Sequence, residues 1–299
     1  MICKYPFFVK SSGGVRPCGQ CLPCRINKRR EKTFRIVNEA LIHPYNSFIT
    51  LTYSEEFLPK QYIDQSTGEV FEHDTGTLKP TDLQGFFNRL RHYIGPFRYF
   101  AVGEYGDILW RPHYHICLFA HHPDSVRPFI KKAWTDKKKL MCDPNRLQCV
   151  PLIKERMQYV CGYTVKKMTQ SKDDRLQGRY PERSYYSKGI GKNLVERFSY
   201  LKGHVPFIDI PRFLKYEGAD WPLDRYLRQK ILDEYGLQEQ SKEIAEKDYK
   251  EKMRALRLSA ETNFPHASPG FALEMEVKNQ TRQKVLNIEK RHALKSRRS

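Results

Sequence analysis

The sequence predicts an α+β protein from two kinds of periodicity and one turn. Some stretches alternate apolar and polar residues and are rich in β-branched and aromatic side chains, as strands are. Others repeat apolar residues every three or four positions, as amphipathic helices do. Gly106-Asp107 separates two strand-like stretches, which predicts a hairpin. The predicted strands are residues 47–53, 97–105, 111–119 and 148–152. The predicted helices are residues 25–43, 81–94, 125–134 and 155–167.

The charge balance indicates a polyanionic partner. The chain has 53 Lys+Arg against 34 Asp+Glu, a net charge of +19, and nucleic acid is the simplest such partner. A merely soluble basic protein is the alternative. No apolar run reaches the roughly 18 residues of a membrane span, and the start is too polar for a signal peptide. We therefore expect a cytosolic protein without a membrane partner, whose eight cysteines are thiols or metal ligands rather than disulfides.

Four cysteines near the start have the spacing of a metal site. Cys18, Cys21 and Cys24 stand three residues apart, and Cys3 lies upstream. Tight C-x-x-C turns direct thiolates at one ion, and a structural zinc takes four ligands. A ferredoxin-like cluster would need another cysteine shortly after Cys24, where Lys28 stands. The spacing predicts zinc; the alternative is a chance clustering of cysteines.

The predicted helix 25–43 is basic in its first half, which contains Arg25, Lys28, Arg29, Arg30, Lys32 and Arg35. A basic helix beside a cysteine knuckle suits a phosphate backbone. We therefore expect DNA contacts at Arg25, Lys28 and Arg29. A solvated charged face explains the same pattern.

A second ligand set lies on the predicted hairpin. His113 and His115 are two residues apart on a strand, so both point to the same face. Glu104 ends one strand as His113 begins the next, which places a carboxylate beside the imidazoles. Two nitrogens and an oxygen with open positions suit Mg²⁺ or Mn²⁺. The alternatives are ordinary half-buried histidines, and a strand-end Glu104 that pairs with Arg111.

The helix 155–167 carries two tyrosines and two lysines on one side. Tyr159, Tyr163 and Lys166 fall within roughly 60° of arc, and Lys167 lies a little further round. The alternative is that the tyrosines pack on the sheet while the lysines favour the helix dipole. With the metal set, however, the pattern predicts a reaction.

A tyrosine hydroxyl with a pKa near 10 is a poor nucleophile at neutral pH. A metal on a phosphodiester and a cation near the phenolate would make it useful. One tyrosine would attack phosphorus and leave a 5′-phosphotyrosine bond and a free 3′-OH. The second could then reverse that bond at another junction, so a strand is nicked and rejoined without hydrolysis.

These motifs together resemble a known family. Thr50-Leu51-Thr52, Pro112-His113-Tyr114-His115 and Tyr159-x-x-x-Tyr163-x-x-Lys166-Lys167 occur in the order of the three motifs of HUH rolling-circle replication initiators. The Cys-rich start, Gly103-Glu104-Tyr105-Gly106 and Lys188-Gly189-Ile190-Gly191 make the chain similar to the initiators of microviruses, the small icosahedral single-stranded DNA phages, of the gokushovirus type. The resemblance covers roughly residues 1–215.

The resemblance implies an HUH-type five-stranded antiparallel sheet with flanking helices and the His pair on a central strand. It implies His113 and His115, with Glu104, as ligands of Mg²⁺ or Mn²⁺, and an endonuclease that nicks single-stranded origin DNA. By position, Tyr159 and Tyr163 would be the alternating nucleophiles and Lys166 or Lys167 the assisting cation. The chain would then act in the cytoplasm of a bacterial host. Cys161-Gly162, between the tyrosines, departs from the family pattern and weakens the helix by about 1 kcal/mol.

Beyond the catalytic helix, residues 171–192 interleave basic and aromatic residues. Bases stack on aromatic rings while lysines and arginines follow phosphates, which predicts contacts to single-stranded DNA at Arg179, Arg183 and Lys188. A disordered loop is the alternative. The strand expected to close the sheet is 207–211.

Three segments follow from this reading: a Cys-rich knuckle and basic helix (1–44), an endonuclease domain (45–215) and a helical basic C-terminal region (216–299). The last segment could bind DNA, a host helicase or replisome, or another copy of the chain. Two alternatives to the replication initiator remain. One is a zinc-containing nucleic-acid binding protein without catalysis, and the other is a transposase or relaxase of the same fold.

Overall fold

The strands and helices below come from a computed structural model that describes residues 2–64, 67–106, 108–166, 174–196, 210, 213–216 and 218–296. The strands are Phe7–Val9 (β1), Gly14–Arg16 (β2), Asn46–Leu51 (β3), Gln61–Ile63 (β4), Val70–Glu72 (β5), Tyr99–Tyr105 (β6), Pro112–Phe119 (β7), Thr135–Asp136 (β8), Lys139–Leu140 (β9), Gln148–Pro151 (β10), Ser184–Tyr186 (β11), Phe213–Tyr216 (β12) and Ala219–Pro222 (β13). The helices are Leu22–Leu41 (α1), Pro80–Ile94 (α2), Pro123–Ala133 (α3), Lys154–Lys166 (α4), Arg225–Tyr235 (α5), Gln238–Asn263 (α6) and Pro269–Ser296 (α7).

Residues 32–194 form one compact unit, and residues 1–31 with 195–299 form another. This grouping rests on spatial proximity. The division into 1–44, 45–215 and 216–299 follows the motifs instead and stays a prediction.

The unit 32–194 is organised around a five-stranded antiparallel sheet with the strand order β10-β3-β7-β6-β11. This confirms the predicted α+β class and the central position of the strand that carries the histidines. The register fixes the neighbours of that strand. His115 lies opposite Thr50 on one side and Val102 on the other, and His113 lies opposite Glu104.

Side-chain alternation gives the two faces of the sheet different roles. One face presents Tyr114 and Ile116 to a core that includes the apolar residues of α2 and α3, among them Phe86 and Ile130. Alternation places His113, His115 and Cys117 on the opposite face. Helix α4 packs against β6 and β7. The catalytic candidates therefore lie on the face away from the large aromatic core.

Two details differ from the sequence prediction. Helix α2 begins at Pro80 with Lys79 as its N-cap and no side-chain cap, because proline at the first helical position lacks only an N–H that would stay unpaired there. The fifth strand is Ser184–Tyr186, paired with β6, in a stretch expected to contact DNA. The predicted closing strand 207–211 lies outside the described residues, except for Ile210, which is in no strand.

In the other unit, the β1–β2 hairpin packs on the two long C-terminal helices. Phe8 donates its backbone N–H to the carboxylate of Glu274 at 2.9 Å, and the Tyr249 hydroxyl donates to the carbonyl of Ser12 at 3.0 Å. Met253, Ala260, Ala272 and Leu273 form the buried core of this packing. None of the described helices is long and apolar enough to cross a membrane.

Candidate active site

The central strand and its neighbours bring three of the predicted motifs together around His115. Its Nε2 lies 2.7 Å from Oε1 of Glu104, and its Nδ1 lies 3.2 Å from Oγ1 of Thr50. Both ring nitrogens are thus oriented by neighbouring strands, and Phe48 stacks on the ring with centroids 5.7 Å apart. Glu104 is only 4% exposed and His115 only 7%. A buried carboxylate and imidazole held this way form an ordered pair with little rotational freedom.

His113 lies beside this pair on the same strand face. Its ring is parallel to that of His115, with centroids 6.5 Å apart and an interplanar angle of 4°. Its Nδ1 is buried and has no hydrogen-bond partner among the described residues. Burial lowers the pKa of His113 below its ordinary value, so the ring is neutral near pH 7. A neutral imidazole with an unpaired nitrogen has the chemistry of a metal ligand.

The donor set of Glu104, His113 and His115, the His–Glu site, fits a divalent cation in chemistry more fully than in geometry. Ligands of one Mg²⁺ at about 2.1 Å lie about 3 Å apart when adjacent, which the spacing of Glu104 and His115 nearly matches. Within the described residues, however, only four cysteines bring their ligand atoms within 4.8 Å of one another. A shared ion therefore requires the ring of His113 to turn toward the other two ligands.

The alternative pairing of Glu104 is not what the structure shows. Arg111 donates to Oε2 of Glu55 at 2.8 Å and to the backbone carbonyl of Tyr53 at 3.2 Å. Glu104 is buried beside His115 rather than exposed at the strand end. Its position is therefore that expected of a site residue.

Helix α4 brings a predicted nucleophile to the same place. The ring of Tyr159 packs edge-on against His115, with centroids 5.6 Å apart and an interplanar angle of 77°. Tyr159 is 53% exposed, so a large ligand can reach it. The backbones of Tyr163 and Lys166 continue the same helix. Their side chains, and Lys167 as a whole, lie outside the described part of the chain.

Thr50 is the contact that sequence reasoning left without a role, although it stands in one of the quoted motifs. Its hydroxyl lies at Nδ1 of His115 across 65 residues of sequence. A group on Nδ1 fixes the orientation and tautomer of a histidine that binds a metal through its other nitrogen. The signal that would reveal it is the register between β3 and β7, which residue patterns alone do not give.

The four N-terminal cysteines, here called the Cys cluster, converge in the other unit. The sulfurs of Cys3, Cys18, Cys21 and Cys24 all lie within 4.8 Å of one another, and those of Cys3 and Cys21 are 3.8 Å apart. Tetrahedral zinc with Zn–S bonds of about 2.3 Å places its sulfurs about 3.8 Å apart. The Cys cluster can therefore hold a structural metal such as zinc.

Backbone amides prepare this cluster for negative charge. The N–H of Lys4 donates to the sulfur of Cys21 at 3.3 Å, and that of Cys18 donates to the sulfur of Cys3 at 3.2 Å. Burial opposes ionisation of Cys18, but the N–H groups of Cys21 and Gln20 overcome it and lower the pKa of Cys18 to about 7. Hydrogen bonds to a thiolate stabilise it, as a metal site requires.

The residues predicted to bind DNA fall into different environments. On α1, Lys28 is exposed, whereas Arg25 and Arg29 are half-buried. Arg183 and Lys188 are exposed on and beside β11, and the guanidinium of Arg183 lies 5.4 Å from the ring centroid of Tyr180.

Arg179 is the exception in this set. It is only 7% exposed. Its guanidinium donates to the carbonyl of Gly76 at 3.2 Å and to the hydroxyl of Thr75 at 2.9 Å, and to the carbonyl of Leu176 at 3.3 Å. Arg179 is therefore a packing residue in this structure and is not presented to a DNA backbone.

Comparison with known sequences places this site within a matched region. Residues 46–168 match the sequence model of the replication-associated protein ORF2 family. This segment contains β3, β6, β7 and α4, and hence the whole His–Glu site and both candidate tyrosines. No solved structure matches the chain significantly.

Three curated relatives are replication-associated proteins of phages or viruses. The chain is 26% identical over 224 residues to VP4 of Bdellovibrio phage phiMH2K, which covers 70% of this chain and 65% of that protein. It is 35% identical over 182 residues to ORF2 of Spiroplasma virus 4, which covers 58% and 55%. It is 28% identical over 130 residues to ORF4 of Chlamydia phage 1, which covers 41% and 29%. The matches thus span less than two thirds of each of these relatives.

Proposed function

Because residues 46–168 belong to the replication-associated protein ORF2 family, we propose that this chain starts rolling-circle DNA replication by nicking and rejoining a single strand. The proposed intermediate is a 5′-phosphotyrosine, with Mg²⁺ or Mn²⁺ at the His–Glu site and tyrosines of α4 as nucleophiles.

One observation carries this proposal: the contact between Tyr159 and His115. The phenol ring lies against an imidazole whose Nε2 is 2.7 Å from a buried carboxylate. Two elements separated by more than 30 residues of sequence thus present a phenol and a metal-ligand set to the same volume. A packing tyrosine would be buried, but Tyr159 is 53% exposed.

The proposed chemistry assigns each group a role. Glu104, His113 and His115 would hold the cation, which when bound polarises the scissile phosphate as a Lewis acid. The hydroxyl oxygen of Tyr159 attacks phosphorus and loses its proton, and the bond from phosphorus to the 3′ oxygen breaks. The departing 3′ oxygen takes up a proton, so one P–O bond forms as another breaks and no bond energy is lost to water. Lys166 or Lys167 would stabilise the phenolate.

Tyr163 would allow the cycle to repeat. It stands four residues after Tyr159 on α4, and residues at this spacing are neighbours on one helix face. A second tyrosine can attack the next junction while the first still carries the 5′ phosphate. The 3′-OH released in the first step then attacks the first phosphotyrosine and rejoins the strand.

The Cys cluster would bind zinc as a structural ion. Four buried or half-buried sulfurs that already accept backbone hydrogen bonds leave no open coordination position for a substrate. The basic face of α1 and the exposed Arg183 and Lys188 would contact the DNA backbone in a salt-dependent manner.

The test is the formation of a covalent adduct. The full chain is incubated with labelled single-stranded DNA and Mn²⁺, then denatured and separated by electrophoresis. The wild type should give a label that migrates with the protein, and Tyr159→Phe with Tyr163→Phe should abolish it. Tyr235→Phe, a tyrosine outside the matched region, is the matched control and should leave the adduct unchanged.

The experiment also separates the alternatives. A zinc-containing binding protein without catalysis would retain DNA in native gels but give no adduct in any variant. An adduct that survived in the double tyrosine variant would assign the nucleophile to another residue and reject the proposal.

A further inference from the structure

The turn between β6 and β7 exposes two neighbouring apolar side chains. Ile108 is 89% exposed and Leu109 is 67% exposed. Single exposed apolar residues are common on protein surfaces and need no explanation. An adjacent pair at the tip of the hairpin that carries the candidate metal ligands is different, because the location is tied to the site.

The base of this turn is held rigidly. Trp110 adopts a left-handed backbone conformation, with φ of 52°, which is unfavourable for a bulky residue. Its ring stacks on Tyr105 with centroids 6.4 Å apart, and the guanidinium of Arg179 lies 5.7 Å from the Trp110 ring centroid. Backbone N–H groups of Gly106 and Trp110 donate to the carbonyls of Arg111 and Gly106, each at 3.0 Å. Strain of this kind persists where the surroundings enforce it, and it concentrates at functional sites.

This arrangement also explains the buried position of Arg179. The residue supports the ring of Trp110 from below while its own hydrogen bonds go to backbone carbonyls. The exposed tip thus stands on a packed base of aromatic rings and a guanidinium. Ile108 and Leu109 are presented to solvent at a fixed place rather than on a freely moving loop.

The tip is within reach of the bases that flank a phosphate at the His–Glu site. Glu104 and His113 are paired across the hairpin, and the last paired residues are Tyr105 and Pro112. Ile108 follows Glu104 by four residues, so the two lie at most about 15 Å apart. Stacked bases are about 3.4 Å apart along a strand, so this distance spans four or five nucleotides.

We propose that Ile108 and Leu109 form an apolar wedge that inserts between DNA bases and opens double-stranded DNA beside the cleavage site. This inference rests on the proposed nicking function and adds the form of DNA that the site can use. Leucine and isoleucine are among the side chains that proteins insert between base steps. Bases offer flat apolar faces of matching chemistry, and the net charge of +19 favours the flanking phosphates.

Self-association through the tip is the weaker reading of the same surface. Two side chains supply only a small fraction of the roughly 800 Å² per partner that a stable protein interface buries. A short apolar tip is sufficient for insertion at one base step. The experiment below therefore treats self-association as one of its outcomes.

The test compares three forms of one DNA sequence. The cleavage site is first mapped on a pool of random-sequence single-stranded oligonucleotides. It is then placed in a single strand, in a fully paired duplex, and in a duplex with a mismatched bubble at the site. The variant is Ile108→Ser with Leu109→Ser, and Leu258→Ser, a 68% exposed leucine on α6, is the matched control.

The wild type should cleave all three substrates. The double variant should cleave the single strand and the bubble within twofold of the wild-type rate, and the duplex at least tenfold more slowly. Equal cleavage of the duplex by variant and wild type would overturn the wedge. So would a wild type that cleaves the single strand but not the duplex, or a double variant that differs only in losing self-association.

A second measurement keeps the wedge testable if no DNA is cleaved, which would reject the nicking function alone. A duplex with 2-aminopurine fluoresces more strongly when that base unstacks. Binding of the wild-type protein should raise the fluorescence, and binding of the double variant with similar affinity should not. No rise with the wild type, or an equal rise with both proteins, would reject the wedge.

Discussion

The two candidate metal sites differ in how completely the fold assembles them. The sulfurs of the Cys cluster are within 4.8 Å of one another, and backbone N–H groups already point at them. In the His–Glu site, Glu104 and His115 meet at 2.7 Å, but His113 stands to the side with a buried unpaired nitrogen. One set is closed and the other is open.

This difference matches the difference between structural and catalytic metals. A structural ion is enclosed by four protein ligands, whereas a catalytic ion keeps positions for substrate. Soft thiolates select zinc, and a mixed imidazole and carboxylate set suits Mg²⁺ or Mn²⁺. The same chain would thus use two kinds of metal for two purposes, stability in one unit and phosphodiester chemistry in the other.

The largest expected effect is the loss of metal from the Cys cluster. Zinc bound at such a site contributes on the order of 10 kcal/mol to folding at neutral pH. We expect Cys21→Ser to lose one equivalent of zinc, measured by mass spectrometry of the native protein. A fall in Tm of about 10 °C or more should accompany that loss.

The control for that experiment is Cys142→Ser, a buried cysteine outside the Cys cluster. It should keep one zinc whatever it does to the Tm. Equal zinc content in Cys21→Ser and wild type would show that the Cys cluster is not the zinc site, and the comparison of two metal sites would lose one member.

The next effect is on cleavage, through His113. The Nδ1 of its ring has no partner among the described residues, so its removal should cost the fold little. We expect His113→Ala to lower the rate of Mn²⁺-dependent cleavage by about 10³-fold, or about 4 kcal/mol. Salt-sensitive DNA binding should be retained. Cleavage at the wild-type rate would mean that His113 is not a ligand and that its separation from Glu104 is functional.

A smaller effect is expected at Glu104. Glu104→Gln keeps the size of the side chain but removes the charge beside His115, with which the carboxylate makes its 2.7 Å contact. We expect cleavage to fall by about 10²-fold, with a loss of affinity for Mn²⁺ that excess metal partly restores. Glu55→Gln, which breaks the exposed pair with Arg111, serves as the control and should change the rate by less than threefold.

The sequence could predict the contacts that are local or that depend on strand alternation. The cysteines lie within 22 residues of one another, so their spacing alone indicates the site. The hairpin predicts that Glu104 lies beside the histidines, since the two strands are joined by one turn. The predicted sheet, its flanking helices and the resemblance to phage replication proteins are confirmed. The roles of the individual site residues stay predictions.

What the sequence could not predict depends on pairing between distant segments. Ser184–Tyr186 is a three-residue edge strand without apolar alternation, and only its pairing with β6 makes it one. Arg179 resembles a DNA contact in a basic stretch, but its hydrogen bonds to Gly76 and Thr75 span more than 100 residues. Residue type gives the chemistry of a side chain, whereas register and packing decide where that chemistry is used.

The smallest predicted effect tests this role of register directly. Thr50 reaches His115 only because β3 pairs with β7 in one particular register. Thr50→Val keeps the β-branched shape and removes the hydroxyl from Nδ1, so the ring loses its orientation but not its position. We expect about a tenfold loss in cleavage rate, or about 1.4 kcal/mol, with little change in Tm. Thr52→Val, two residues further on, is the matched control. If both variants cleave equally well, the orientation of His115 comes from Glu104 alone, and the open site needs fewer supporting contacts than the closed one.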